Sequence, residues 1–223
     1  QVTAAVIAAA SRLKIIGRAG VGVDNVDVPA ATQRGVLVVN SPEGNTIAAA
    51  EHALAMMLTL SRHIPQAHGG MRAGKWDRKK YVGNELYKKM LGVVGLGKIG
   101  SHVARVAQAM GMEVVAYDPF IAADRAQRMQ VKLLELDELF RIADYVTLHI
   151  PRTKDTENLV NAELLRTMKP TARIVNCARG GVVDEAAIAE AINNGVIAGA
   201  GLDVFASEPL AEDSSLRAVE RGL

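Results

Sequence analysis

Three glycines and one carboxylate carry the first chemical signal. Gly95, Gly97 and Gly100 stand in the spacing G-x-G-x-x-G, between the apolar run Met90-Leu91-Gly92-Val93-Val94 and a helical pattern at Ile99, Val103, Val106, Ala107 and Met110. A strand that turns through glycines into a helix is suited to a diphosphate. The first glycine permits the tight turn, the second lets the pyrophosphate approach the backbone, and the third lets helix and strand pack closely. The helix start adds N–H groups and a partial positive charge. A second predicted strand, Glu113-Val114-Val115-Ala116-Tyr117, ends on Asp118, eighteen residues after Gly100. A carboxylate there suits the ribose hydroxyls of NAD and repels the 2′-phosphate of NADP. An aspartate before Pro119 can also simply start a turn. The glycine spacing tips the balance to the dinucleotide.

Three further strand ends carry polar groups. His149-Ile150-Pro151 closes the run 145–149, Cys177-Ala178-Arg179-Gly180-Gly181 follows 173–176, and Asp203 ends 197–203 ahead of Glu208-Pro209. In a doubly wound sheet these ends face one crevice. A guanidinium there can clamp a carboxylate bidentately. A carboxylate there can hold an imidazole and raise its pKa.

The elements that must position these groups alternate strand with helix, which predicts an α/β fold with a doubly wound parallel sheet. Strands are expected at 90–94, 113–117, 131–133, 145–149, 173–176 and 197–203. Helices are expected at about 98–110, 122–129, 135–142, 161–167 and 184–194. Ahead of them lie a helix at 2–11, a strand at 13–16, the glycine-rich loop Gly17–Asp24, a helix at 28–34 and a strand at 36–40. Two strand–helix units are too few for a sheet of their own, so 1–42 is expected to be the remnant of another, flavodoxin-like domain, with 43–223 as the dinucleotide domain. A helix at about 46–64, apolar almost all round, predicts burial on more than one side and a subunit contact. The basic loop Gly74–Tyr81 holds the chain's one tryptophan, Trp76.

Composition excludes several classes. With 223 residues, 49% of them hydrophobic and a net charge of +2, the chain lacks the basic field of a nucleic-acid binder. The single Cys177 excludes an internal disulfide and fits a reducing, cytoplasmic setting. Residues 1–10 have no basic leader segment, and Arg12 and Lys14 interrupt the apolar run, so neither signal peptide nor membrane span is expected. The chain opens on Gln1 rather than Met, which is expected of a fragment.

Taken together, Gly95–Gly100 with Asp118, the stretch Asn176–Glu185, and Gly201-Leu202-Asp203-Val204-Phe205 with Glu208-Pro209 resemble the D-2-hydroxyacid dehydrogenases. Gly17–Asn25, Pro42-Glu43-Gly44-Asn45-Thr46 and Gly74–Lys80 resemble the branch of that family acting on 3-phosphoglycerate. The resemblance implies an NAD-dependent oxidation of D-3-phosphoglycerate to 3-phosphohydroxypyruvate, the opening step of phosphorylated L-serine biosynthesis. It implies that Arg179 binds the substrate's carboxylate end and that Glu208 orients a catalytic histidine. Asp203 and the Cys177-Ala178-Arg179 backbone would hold the nicotinamide carboxamide. Lys98, Ile99, Asp118 and Ile150, with His149 and Pro151 beside it, would line the adenosine and pyrophosphate side. Arg18, Val21, Gly22 and Asn45 would face the substrate carboxylate and the nicotinamide. Arg78 would reach the phosphate in a neighbouring subunit's site, within a homodimer or larger homo-oligomer. No metal is expected.

One departure is as informative as the match. The family's acid–base histidine lies in a Pro-His-Leu-Gly stretch beyond the residues present, and His52, His63, His68, His102 and His149 do not match it. The chain alone is therefore expected to bind NAD without turnover. A glyoxylate/hydroxypyruvate or other D-2-hydroxyacid reductase, and a non-catalytic NAD sensor of the same fold, are the alternatives. Asp118 speaks against NADP-using members, and the Lys75–Lys80 loop for a phosphorylated substrate.

Overall fold

The computed structural model describes residues 1–219. They fall into two compact units that divide at Ala48/Ala49.

In the first unit, Thr3 caps α1 (Ala4–Ala9), accepting the Val6 N–H on its hydroxyl. The strand β1 (Ile15–Arg18) pairs in parallel with β2 (Leu37–Asn40), and α2 (Val28–Gln33) joins them. Asp27 caps α2, accepting the Ala30 N–H at 3.0 Å. The small core gathers Ile7, Ala31 and Val36. Ile15, Leu37 and Val39 stay exposed on this two-stranded sheet.

The second unit is a six-stranded parallel sheet with helices on both faces. Its strands are β3 (Met90–Val94), β4 (Glu113–Tyr117), β5 (Lys132–Leu133), β6 (Tyr145–Leu148), β7 (Arg173–Asn176) and β8 (Gly199–Leu202), in the spatial order β5-β4-β3-β6-β7-β8. The order reverses between β3 and β6, where an open α/β sheet leaves its crevice. The doubly wound expectation holds. On one face, α3 (Thr46–Arg62), α5 (Lys98–Ala109) and α6 (Ala123–Arg128) enclose a core of Leu54, Met57, Leu91, Val93, Val103 and Val175. On the other, α7 (Leu136–Ile142), α8 (Ala162–Arg166) and α9 (Glu185–Asn193) enclose Phe140, Leu148, Leu165, Ile174 and Ile188. The strands read as unbroken apolar runs because both sheet faces are covered.

The long helix departs from expectation in two respects. It stops at Arg62, because His63 takes a left-handed conformation (φ 53°), and α4 (Ile64–Arg72) follows with Pro65 in its first turn. Its burial is one-sided: Ala50, Ala53, Leu54, Met57, Leu60 and Ser61 face the core. The basic loop forms a short 3-10 turn at Arg78–Tyr81, with Trp76 78% exposed.

Candidate active site

The register of the sheet sets the site. Val94 pairs with Tyr117 and Leu148, Leu148 with Asn176, and Asn176 with Leu202. These five residues are therefore level, and the next residue of each chain segment is Gly95, Asp118, His149, Cys177 or Asp203. The polar groups singled out from sequence come together along one carboxyl-terminal edge. Backbone bonds extend the ladder past the strands: Gly95 N–H to Tyr117 O at 2.8 Å, His149 N–H to Val94 O at 2.8 Å, and Asp203 N–H to Asn176 O at 3.0 Å.

The glycine turn shows why each glycine is needed. Gly95 has φ 92°, and a Cβ there would sit 2.7 Å from His149 O and from Ile150 Cγ2. At Gly100 a Cβ would fall 2.0 Å from Gly95 O, so helix and turn could not close. Over Gly97 there is open space, which is where a phosphate group would need it. No side chain caps the start of α5, whose first-turn N–H groups are suited to a phosphate. Ser101 instead donates its hydroxyl to Leu96 O at 2.8 Å, fixing the turn from behind.

Asp118 starts the turn that its place before Pro119 allowed, and adds a bond to the glycine turn that the sequence did not reveal. Its Oδ2 accepts the Leu96 N–H at 2.8 Å and its Oδ1 the Phe120 N–H at 2.9 Å. The carboxylate thus holds the glycine turn, and each oxygen keeps a second lone pair. The two readings of this residue, turn former and ribose acceptor, are compatible.

His149 and Cys177 are both electrically quiet. Burial pushes the His149 imidazole down to about 4, and its Nε2 lies 3.0 Å from Thr147 Oγ1. Burial, joined by the Asp203 carboxylate, pushes the Cys177 thiol up to about 12. Near neutral pH both groups are uncharged. Cys177 is a protonated wall of the cleft rather than a nucleophile.

Two residues absent from the sequence-based set belong to this edge. Asn176 is buried, and its amide folds the following loop: Oδ1 accepts the Ala178 N–H at 3.1 Å and Nδ2 donates to Arg179 O at 3.0 Å. His52 on α3 places Nε2 3.1 Å from Asp203 Oδ1. The ligand atoms of His52, Cys177 and Asp203 lie within 4.8 Å of one another. A polar residue ending an apolar strand was the available signal for Asn176. Nothing local links His52 to Asp203.

Arg179 is half-buried, with Nη1 donating to Ala178 O at 2.7 Å. The loops after β7 and β8 are locked at Gly180, where a Cβ would fall 1.8 Å from Phe205 O. Glu208, on the second loop, is exposed and accepts the Phe205 N–H at 3.1 Å. Ala206 N–H reaches the Glu185 carboxylate at 2.6 Å. Lys98 is exposed and Ile99 half-buried at the start of α5, and Ile150 packs beside Gly95 with Pro151 exposed beyond it. In the first unit, Arg18 Nη1 donates to Ala19 O at 3.2 Å, Val21 O accepts from Asn40 Nδ2 at 2.7 Å, Gly22 is half-buried and Asn45 exposed. Arg78 lies exposed in the 3-10 turn.

Comparison with known proteins gives this edge its context. The family model for the D-isomer specific 2-hydroxyacid dehydrogenase, NAD binding domain, matches residues 54–223. The chain belongs to that family. The chain is 65% identical over 212 residues to the D-3-phosphoglycerate dehydrogenase of Synechocystis, covering 95% of this chain and 38% of that protein. It thus spans about two fifths of that relative's length. Among solved structures, a Thermus thermophilus protein superposes with a TM-score of 0.92 at 38% identity, covering 100% of this chain and 70% of that one. The D-lactate dehydrogenase of Aquifex aeolicus, complexed with NAD and lactic acid, gives 0.87 at 33% identity over 99% of this chain and 69% of that one. NAD is the cofactor of the family domain, and the open space over Gly97, the uncapped α5 and the level strand ends fit it. Among the described residues no helix is long and apolar enough to cross a membrane.

Proposed function

We propose that this chain is the cofactor-binding part of an NAD-dependent dehydrogenase that oxidises D-3-phosphoglycerate to 3-phosphohydroxypyruvate, opening phosphorylated L-serine biosynthesis in the cytoplasm. The observation that carries the proposal is the level row Gly95, Asp118, His149, Cys177 and Asp203, read with the 65% identity to a protein of that name. Residues 1–42 are taken as the remnant of a substrate domain and 43–223 as the NAD domain, the last four lying outside the described residues.

When bound, NAD supplies the hydride acceptor. The chain's own residues bind and orient. Gly97 and the start of α5, with Lys98 and Ile99, would hold the pyrophosphate. Asp118 would accept from the adenosine ribose, and Ile150 and Pro151 would wall the adenosine side with His149. Asp203 and the Cys177-Ala178-Arg179 backbone would take the carboxamide, with His52 steadying Asp203. Arg179 would clamp the substrate carboxylate, Arg18, Val21, Gly22 and Asn45 are assigned to the substrate carboxylate and the nicotinamide, and Arg78 would answer the phosphate in a partner's site. Neutral His149 and Cys177 add no charge that would compete for the substrate. Glu208 is the group that would hold the acid–base histidine, and no histidine follows position 149 in this sequence.

The test compares two proteins: the 223-residue chain, and a chimera in which the flanking segments of the Synechocystis relative are joined to it. Both should bind NAD by calorimetry. Only the chimera should form NADH from 3-phosphoglycerate, since acid–base transfer contributes typically ~10²–10⁴-fold. Comparable turnover by the bare chain would show that one of its own five histidines is the base. Turnover of lactate or glyoxylate by the chimera in preference to 3-phosphoglycerate would overturn the substrate assignment.

A further inference from the structure

The amino-terminal edge of the same sheet, at the opposite pole from the cofactor cleft, holds a charge that the proposed dehydrogenation does not use. Arg173 opens β7 and is only 8% exposed. A guanidinium carries five N–H donors and does not shed its charge. Here Nη1 donates to Thr171 O at 3.1 Å, and the cation sits 5.7 Å from the centroid of the Tyr145 ring. Among the described residues no carboxylate forms an ion pair with it. The acid in the neighbouring wall, Asp144, is already engaged: Oδ1 by Lys169 Nζ at 2.9 Å and Oδ2 by the Met90 N–H at 2.9 Å.

Arg173 lines a cleft of about 210 Å³ together with Asn84, Lys89, Asp144, Tyr145 and Thr171. That is more than ten times the ~10–15 Å³ needed by one water. Lys89 adds a second cation to the wall. The surroundings respond to a positive field. The His63 imidazole is held below its ordinary pKa by burial and then by Arg173. Burial pushes the Asp144 carboxyl up, yet the Lys169 and Met90 hydrogen bonds and the Lys169 and Lys89 charges together hold it below the usual carboxylate value. A buried cation is costly unless a counter-charge meets it. The fold supplies the fork, a second cation and the room, while the lining carboxylate, Asp144, is taken by Lys169 and, among the described residues, Arg173 has no ion-pair partner.

We propose that this cleft binds a small doubly charged oxyanion of the phosphate class, gripped by the Arg173 guanidinium and the Lys89 ammonium. A planar fork beside a point charge matches phosphate geometry, and two cations answer two negative charges better than one. The site is independent of the dehydrogenase assignment.

Proton–nitrogen NMR of the 223-residue chain tests it, with sodium phosphate titrated against sodium chloride at matched ionic strength and against sodium acetate. Saturating shifts are expected at the amides of Thr171 and Arg173, and of Gly195 and Ala198, which also line the cleft, with phosphate alone. Phosphate can also meet the glycine turn, so the titration is repeated in Gly97→Asp, which sets a carboxylate there; the shifts at the Arg173 cleft should persist. Arg173→Met keeps the volume and removes the charge, and should weaken phosphate about tenfold or more, while Arg173→Lys, losing the fork, should weaken it about threefold. If circular dichroism shows that Arg173→Met does not fold, Arg173→Lys and Lys89→Met, expected to weaken binding about threefold each, decide the matter. The proposal is overturned by the absence of saturating shifts at these amides, by equal response to chloride or acetate, or by unchanged affinity in the folded variants.

Discussion

At the scale of single residues, the cleft depends on groups kept neutral as much as on groups that hold its turn by hydrogen bonds. His149 illustrates the first. Its imidazole lies at about 4 against an ordinary 6.5 because burial disfavours the cation. The unfolded chain therefore binds the proton more readily than the folded one. The stabilisation is complete above pH 6.5 and is lost as the pH falls towards 4, with a slope approaching ~1.4 kcal/mol per pH unit. In His149→Gln, which can still bond Thr147, urea denaturation between pH 7 and 5 should show a flatter decline than wild type; parallel curves would mean that the ring is solvated. Asp118 illustrates the second. It carries two backbone N–H groups of the glycine turn, so Asp118→Ala should lower stability by about 1–2 kcal/mol and weaken NAD about tenfold. The same variant should lose preference for NAD over NADP. A preference left intact, measured by calorimetry with both cofactors, would confine Asp118 to the turn.

At the scale of elements, the parts of the fold that were legible in sequence are those written locally. The glycine turn, the apolar strands and the helices of the sheet domain follow from spacing within about ten residues of one another. What was not legible follows from contacts between distant segments. The helix α4 was not foreseen: Pro65, Gly69 and Gly70 are poor helix formers in a helix interior, whereas proline is well suited to a first helical turn, and the break between α3 and α4 falls at left-handed His63. The bond of His52 to Asp203 and the burial of Arg173 exist only once α3 and β7 are packed. Another such contact is testable. Ser61, fully buried on α3, donates to Met57 O at 2.7 Å and lies 2.8 Å from the Tyr145 hydroxyl on β6. Ser61→Ala should cost ~1–3 kcal/mol, because the buried phenol loses its partner. Ser61→Ala combined with Tyr145→Phe should recover part of that loss. A double variant no better than the sum of the singles would show that the two hydroxyls are not coupled.

At the scale of the whole molecule, the outward stripe of α3 makes assembly a testable question. Glu51, Ala55, Leu58 and Arg62 are all exposed and follow one another by four, three and four positions, which sets them in one line along the helix. That line is self-complementary on reversal. If a second copy lies antiparallel about a two-fold axis passing between positions 56 and 57, Glu51 meets the partner's Arg62 at each end and Ala55 meets the partner's Leu58 in the middle. An isologous dimer needs such a patch, in which each contact occurs twice. The small Ala55 gives Leu58 room to seat. We therefore expect a dimer through α3, in keeping with the subunit contact foreseen for this helix. Glu51→Arg sets arginine against arginine at both ends, and Arg62→Glu sets glutamate against glutamate, so either should drive the chain to monomer. Carrying both changes restores the opposite-charge pairs and should restore the dimer. Sedimentation velocity at micromolar concentrations reads all four proteins. If wild type sediments as a monomer, the stripe is no interface; if it is a dimer that the single changes leave intact, or that the double change fails to restore, the subunits meet through another face.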